Sequence, residues 1–410
     1  MDPNEQKETR GFNKSRVVNV SLIMLCMSSQ TVSLGGVALF LPILIKDLGL
    51  SFTQGGTISA AAMFVYALMQ VPSGYLADRY GLKKVFFIGV LGTVVLCFSF
   101  GLISTYWHAV LNQMVSGFFR ALLFASGVAL LASWFGPQRR ATAMGLSLIG
   151  LFSGHLLMNT FGPSLLERFD WRFPFIAFGS VGILGSFGYL WSTKGSPDEV
   201  PGHKVSLVDV VQLFRYPFMW VVGVIQYVRL GVYGSISFWL PTLLIDEKGL
   251  SLQVTGLILA LRTILSAPTN MIGGYISDRL KNPTAVIGIS LVIIAITTVF
   301  IVKVDDLVMI ITLNVLNALF IQLYFGPLFA IPVEKFGSHL TGTLTGFGNF
   351  FANLGVFSFT YLIGFVKDRT GHFEAGFYTI AAACLVGLVF TILLKHMQPG
   401  ALNPKASNNP

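Results

Sequence analysis

Charge is what this chain has least of. Only 11% of its 410 residues are Asp, Glu, Lys or Arg, while 54% are hydrophobic; soluble domains carry about 25% charged residues. So little polar surface cannot keep a chain of this length in water, which excludes a soluble globule and leaves lipid as the solvent. Cysteine is scarce as well. Cys26, Cys97 and Cys384 are odd in number and sit inside apolar segments, so neither a disulfide framework nor a metal site is expected. Carboxylates are absent from the middle third of every apolar segment. Only one long polar stretch interrupts the chain, at 194–215. Residues 1–16 are polar, and the apolar segment behind them is too long for a signal-peptide core, so no cleavable leader is expected.

Apolar runs of the length that crosses a bilayer are what the chain has in abundance. They predict twelve helices, at 17–45, 55–78, 85–104, 107–135, 140–167, 171–193, 216–246, 251–278, 283–302, 306–335, 339–366 and 375–396. The fold class is therefore all-α integral membrane. Residues 1–16 form an N-terminal tail, 17–193 a first six-helix bundle, 194–215 a linker, 216–396 a second bundle and 397–410 a C-terminal tail.

A duplication underlies this division. GYLADRYGLKK at 74–84 returns as GYISDRLKNPT at 274–284, and LPILIKDLGLS at 41–51 returns as LPTLLIDEKGLS at 240–251 with one residue inserted. Two landmarks in matching order and offset predict two like-built halves related by a pseudo-two-fold axis, the signature of an alternating-access carrier. Segments on the side of the N-terminus hold 17 Lys/Arg and those on the other side hold 7. The more basic side is cytoplasmic, so both termini are expected inside. The net charge of +9 is then mostly topology and calls for no nucleic-acid partner.

Three arginines escape that count. Arg120, Arg229 and Arg262 lie in the fourth, seventh and eighth spans, roughly 16–22 Å from the nearer end of a straight helix. An arginine at that depth costs about 2.5–3.5 kcal/mol to insert and usually faces a cavity. With no buried carboxylate in reach, the counter-ion expected is an anionic substrate gripped by the guanidinium groups. Snorkelling or bonding to helix carbonyls is the structural alternative, strongest for Arg262. Arg229 stands 12 residues before Pro241, as Gln30 stands 12 before Pro42, so the two occupy equivalent places in the halves. Arg229 is thus expected to be the principal anchor of an asymmetric site. Gln30, His155, Asn159 and Tyr233 are expected beside it. Tyr66, Gln70, Gln113, Gln226, Gln322, Asn349 and Asn353 lie at similar depth, where interhelical hydrogen bonding is the commoner role. His155 is the only histidine deep in a span and could carry a coupling proton.

GYLADRYGLKK resembles the loop motif between the second and third helices of the major facilitator superfamily. Gly74, Asp78, Arg79, Gly81, Lys83 and Lys84 match it, and the weaker copy keeps Gly274, Asp278 and Arg279. The resemblance implies that Asp78 and Arg79 belong to a charge relay at the cytoplasmic face that locks the outward-open state. SWFGPQRRATAMGLSLIG (133–150) and FDWRFPFIAFGSVGIL (169–184) look like the anion:cation symporter and organophosphate:phosphate antiporter branches. YVRLGVYGSISFWLPTLL (227–244) is similar to the seventh helix of the antiporters, whose arginine maps to Arg229. Those antiporters pair it with a first-helix arginine where this chain has Gln30. The symporters usually have an acidic fourth-helix residue where this chain has Arg120. With these departures a doubly charged phosphate ester is the less expected cargo, and a proton-coupled carboxylate stays open.

The function expected is secondary transport of a small organic anion by alternating access, as proton symport or anion exchange. A proton-driven drug or metabolite exporter is the alternative, though it generally needs an intramembrane carboxylate. A transporter-like ligand sensor is a third. No nucleophile–base pair or phosphate loop points to an enzyme, and no cofactor is expected. The partners expected are the substrate anion, a coupling proton or counter-anion, and the bilayer. The protein is expected to work as a monomer in a bacterial inner membrane.

Overall fold

The computed structural model describes residues 3–135, 140–192, 213–336 and 341–397. Most of the expected linker and C-terminal tail, with Arg139, Lys194, Lys204 and Lys405, lies outside the described residues. Everything described is helix or short connection. The helices are α1 (Pro3–Leu39), α2 (Leu41–Leu48), α3 (Phe52–Leu68), α4 (Gln70–Tyr80), α5 (Leu82–Phe100), α6 (Tyr106–Ser133), α7 (Arg140–Arg168) and α8 (Arg172–Ser192). They continue with α9 (Pro217–Thr242), a π-helical turn (Leu243–Glu247), α10 (Leu252–Leu280), α11 (Pro283–Lys303), α12 (Leu307–Leu323), α13 (Phe325–Phe336), α14 (Thr341–Thr370) and α15 (Glu374–His396). Among the described residues eleven stretches are long and apolar enough to cross a membrane, or twelve when α3 and α4, bent by 56°, count as one span. Their ends fall within about a turn of those expected, with one exception. The first helix begins at Pro3, ahead of its apolar stretch at Arg16–Leu39, and ends at Leu39, with α2 continuing past the expected end at 45; the Glu, Gln, Lys and Arg before Arg16 are good helix formers.

Prolines account for the breaks. Pro42 and Pro72 cannot bond the carbonyls of Ala38 and Leu68, and the chain breaks at Phe40 and bends at Met69. Pro327 likewise frees the Leu323 carbonyl where α12 passes into α13 through Tyr324. Pro241 stays within α9 and is followed by the π-helical turn. The duplicated sequence folds alike in both copies. Gly49 and Gly249 take left-handed φ values of 60° and 66°, and the serines that follow cap the next helix: Ser51 Oγ accepts from Gln54 N, Ser251 Oγ from Val254 N. At the other landmark Gly81 (φ 91°) is matched by Lys281 (φ 49°), so the second copy keeps the positive φ after losing the glycine.

The end carrying Ser51 and Ser251 is called distal below, and the end carrying Gly81 and Lys281 proximal. At the distal end the first and last six spans meet without gaps. A side chain at Gly56 would lie 2.8 Å from the Thr360 carbonyl, one at Gly364 2.5 Å from the Phe52 carbonyl, and one at Gly256 2.4 Å from the Asn159 carbonyl. Asp368 accepts from Phe52 N (2.9 Å), Thr53 N (2.7 Å) and the Thr53 hydroxyl; Lys46 pairs with Asp246 at 3.5 Å, and Gln253 bonds Glu167. The proximal end differs. Substituents at Gly74 and Gly274 would meet open space, and Tyr75 and Tyr275 are exposed. Arg79 donates to Tyr75 of its own helix at 2.9 Å and lies over Tyr80; no contact from it to the last six spans is present among the described residues.

Candidate functional site

Below the tightly packed distal end lies a cavity of about 280 Å³. Eight spans contribute to it, four from each half of the chain. Its polar wall holds Gln30 (α1), Tyr66 (α3), Arg120 (α6), His155 and Asn159 (α7), Tyr233 (α9) and Arg262 (α10). Six of the seven candidate binding residues read from the sequence are thus brought to one place. The seventh, Arg229, is not in the lining. The cavity-facing stripe of α9 runs through Leu230, Tyr233, Gly234, Ser237 and Phe238, and at about 100° per residue Arg229 falls at its edge. There Gln226 Oε1 accepts from Arg229 Nε at 2.9 Å, and the guanidinium lies 4.6 Å from the ring centre of Phe325 and 5.6 Å from that of Phe329. Equivalence with Gln30 gives the right depth for Arg229, but the two differ in azimuth.

The two arginines in the lining are held differently. Arg262 is held by α12: its Nη1 donates to the Asn314 carbonyl and Oδ1, both at 3.1 Å, and both terminal nitrogens donate to Asn317 Oδ1 at 3.4 Å. Asn317 in turn donates to Thr297 and Thr298 of α11. Arg120 is 1% exposed, yet only one of its nitrogens is engaged. Nη2 donates to Ser33 Oγ and Gln113 Oε1, each at 3.2 Å, while Nε and Nη1 are buried without a partner. Neither arginine meets a carboxylate among the described residues. A buried cation with spare donors on a cavity wall is a binding group for an anion that enters from outside.

His155 packs on the first span, its Nδ1 2.8 Å from where a Cβ at Gly35 would stand. Gly35 is therefore what makes room for the imidazole. Of the other mid-depth polar residues, Asn353 lines the cavity, while Gln113 and Gln226 serve the arginines and Gln322 accepts from Asn270. The sequence reading missed Ser33, Asn314 and Asn317, which support the arginines, and Ser59, Ser237, Thr263 and Ser266 in the lining. Ser33, one helical turn from Gln30, and the i, i+3 pair Asn314–Asn317 inside an apolar span were the available signals. No metal-ligating group of three residues occurs among the described residues.

A continuous match to the sequence model of the Major Facilitator Superfamily runs over residues 23–360. The chain belongs to this superfamily. It is a multi-pass membrane transport protein, not an enzyme. Among its relatives is the hexuronate transporter of Bacillus subtilis, 24% identical over 96% of this chain and 99% of the relative. The D-galactonate transporter of Escherichia coli is 25% identical, over 85% and 88%. Among solved structures, a bacterial homologue of the human lysosomal transporter Spinster, in an inward-facing and occupied conformation, superposes with a TM-score of 0.81. It covers 93% of this chain and 97% of that one at 14% identity, a likeness of fold.

Proposed function

We propose that this protein carries a small organic anion, a carboxylate, across the membrane by alternating access. The observation that carries the reading is Arg120: a buried guanidinium on the wall of a cavity shared by both halves, with Nε and Nη1 unpartnered. Arg120 takes the anchoring role that depth and equivalence with Gln30 had assigned to Arg229, and Arg262, its terminal nitrogens held by Asn314 and Asn317, adds positive potential. The relatives named for hexuronate and galactonate support a carboxylate cargo, and the absence of an ion-pairing carboxylate at either cavity arginine counts against a cationic drug.

The reading includes the topology and the cycle. Both termini are cytoplasmic, and two six-span bundles related by a pseudo-two-fold axis rock about the cavity. The packed distal end, bridged by Asp368 and by Lys46–Asp246, then corresponds to an inward-facing state. Asp78 and Arg79, with Asp278 and Arg279 in the second copy, form the cytoplasmic lock when the proximal ends meet in the opposite state. Transport is proton symport or anion exchange, with His155 as the titrating group in the first case.

Counterflow in liposomes tests this. Protein loaded with unlabelled hexuronate or a short carboxylate should accumulate the labelled anion, and a folded Arg120→Gln variant should not. Thermal stabilisation by lipophilic cations, with none by carboxylates, would establish the exporter alternative instead.

A further inference from the structure

The duplicated distal segment carries one residue more in its second copy, and the backbone takes it up at one place. Leu50 N closes the first copy on the Ile45 carbonyl at 2.9 Å, across five residues; Leu250 N closes the second on the Leu244 carbonyl at 2.9 Å, across six. Ile45 matches Leu244 in the repeat and Leu50 matches Leu250, so the extra residue lies between them, at the π-helical turn. There Lys248 N reaches back five residues, to the Leu243 carbonyl at 3.1 Å, where an α-helix reaches back four. Beyond this point each copy presents two neighbouring charged residues with divided tasks. Asp47 faces its own half, accepting from Trp171 Nε1 at 3.1 Å and Arg172 Nη2 at 2.9 Å at the junction of α7 and α8. Glu247 does the same at the junction of α14 and α15, accepting from Phe373 N at 2.9 Å and from the buried Lys367. The residues before them, Lys46 and Asp246, pair across the two halves at 3.5 Å. Counted from Pro42 and Pro241, however, Lys46 corresponds to Ile245 and Asp47 to Asp246. An uninterrupted α-helix would give Asp246 to the clasp and set Ile245 against Lys46.

We infer that the inserted residue is a register device: the π-helical turn hands the clasp of the second half to Glu247 and frees Asp246 to bridge to Lys46. Opposite charges then stand at equivalent places on the two halves, and the distal end gains an attraction between them without giving up either clasp. The device operates whatever the cargo, and so goes beyond the proposed function.

The test sets deletion of Glu247 against Glu247→Ala in the detergent-purified full chain. Deletion gives the segment the length of its first copy and lets Asp246 take the clasp. Glu247→Ala keeps the turn and strands the buried Lys367. The deletion is therefore expected to melt about 5 °C or more above Glu247→Ala, although it removes a whole residue. The second readout is the distance between spin labels on Leu102→Cys and Val308→Cys, exposed positions at the distal ends of the two halves. Deletion should raise the distal-open population about two- to fivefold, the range of an exposed ion pair, and so should Asp246→Asn with its turn intact. Ile245→Asp in the deletion background puts a carboxylate opposite Lys46 again and should return the population to its original value. A deletion that melts below Glu247→Ala, or does not fold, overturns the inference. So do label distances that stay unchanged in the deletion and in Asp246→Asn, or an open population that Ile245→Asp does not restore. Counterflow of carboxylates is a separate measurement, so none of these outcomes bears on the anion reading.

Discussion

Arg120 and Arg262 face one cavity from opposite halves of the chain, at similar depth and similar burial, and the protein treats them in opposite ways. Around Arg262 three helices converge: Asn314 and Asn317 of α12 accept its protons, and Asn317 passes the connection to Thr297 and Thr298 of α11. Around Arg120 the support is thinner, two acceptors on one nitrogen, and two donor nitrogens remain unanswered. Leaving a buried polar group unpaired costs about 1–3 kcal/mol, and more for a charged one. A fuller shell ties an arginine into the architecture. An incomplete one directs it at something that arrives later.

Substitutions can break that comparison. The largest effect is expected at Arg120→Gln, which should weaken carboxylate binding by about a hundredfold or more, since hydrogen bonds between charged groups contribute about 1.5–3 kcal/mol each; calorimetric titration of the folded variant reads it. Arg262→Gln should do the reverse, losing about 2 kcal/mol of stability as the asparagine acceptors are stranded, while anion affinity falls less than tenfold. Melting curves with and without ligand separate the two effects. If Arg262→Gln abolishes binding and leaves the melting temperature alone, the distinction drawn between the arginines is wrong. At the distal end Asp368→Asn should cost about 1 kcal/mol, the size of a helix cap, and shift spin-label distances across the distal end toward the open form. The smallest effect is expected at Gly35→Ala. The new methyl should displace the His155 ring, leave folding nearly unchanged, and move the pH midpoint of uptake if that ring carries the coupling proton; an unmoved midpoint would assign His155 a packing role.

The spans were legible because a run of twenty apolar residues has one physical solution in lipid; the breaks at Phe40 and Met69 were not, although Pro42 and Pro72 stood as their signal inside the helices expected at 17–45 and 55–78. The duplicated turns were legible too, since Gly49 and Gly249 occur where only a left-handed backbone continues the chain. Inside the bilayer, sequence yields depth through the 1.5 Å rise per residue. It does not yield azimuth, and Arg229 shows the consequence: a residue at the right height was intercepted by Phe325 and Phe329 before reaching the cavity. The asparagine shell of Arg262 was hidden for a related reason. Asn314 and Asn317 are distant in sequence from the arginine they serve, and only the packing of α10 on α12 brings them together.

The carboxylate of Asp368 has a consequence for turnover. Helix α3 starts with its first amides fully answered, Ser51 and Gln54 by their reciprocal capping box and Phe52 and Thr53 by Asp368 from the other end of the chain. When the distal ends separate, only the second pair is lost, and it is lost at an exposed site where water replaces it at once. A net hydrogen bond exchanged with water contributes about 0.5–1.5 kcal/mol. In the alternating cycle proposed above, such a fastening favours the closed end yet adds little to the activation barrier, so a carrier of this build would rest shut and still reopen by thermal motion.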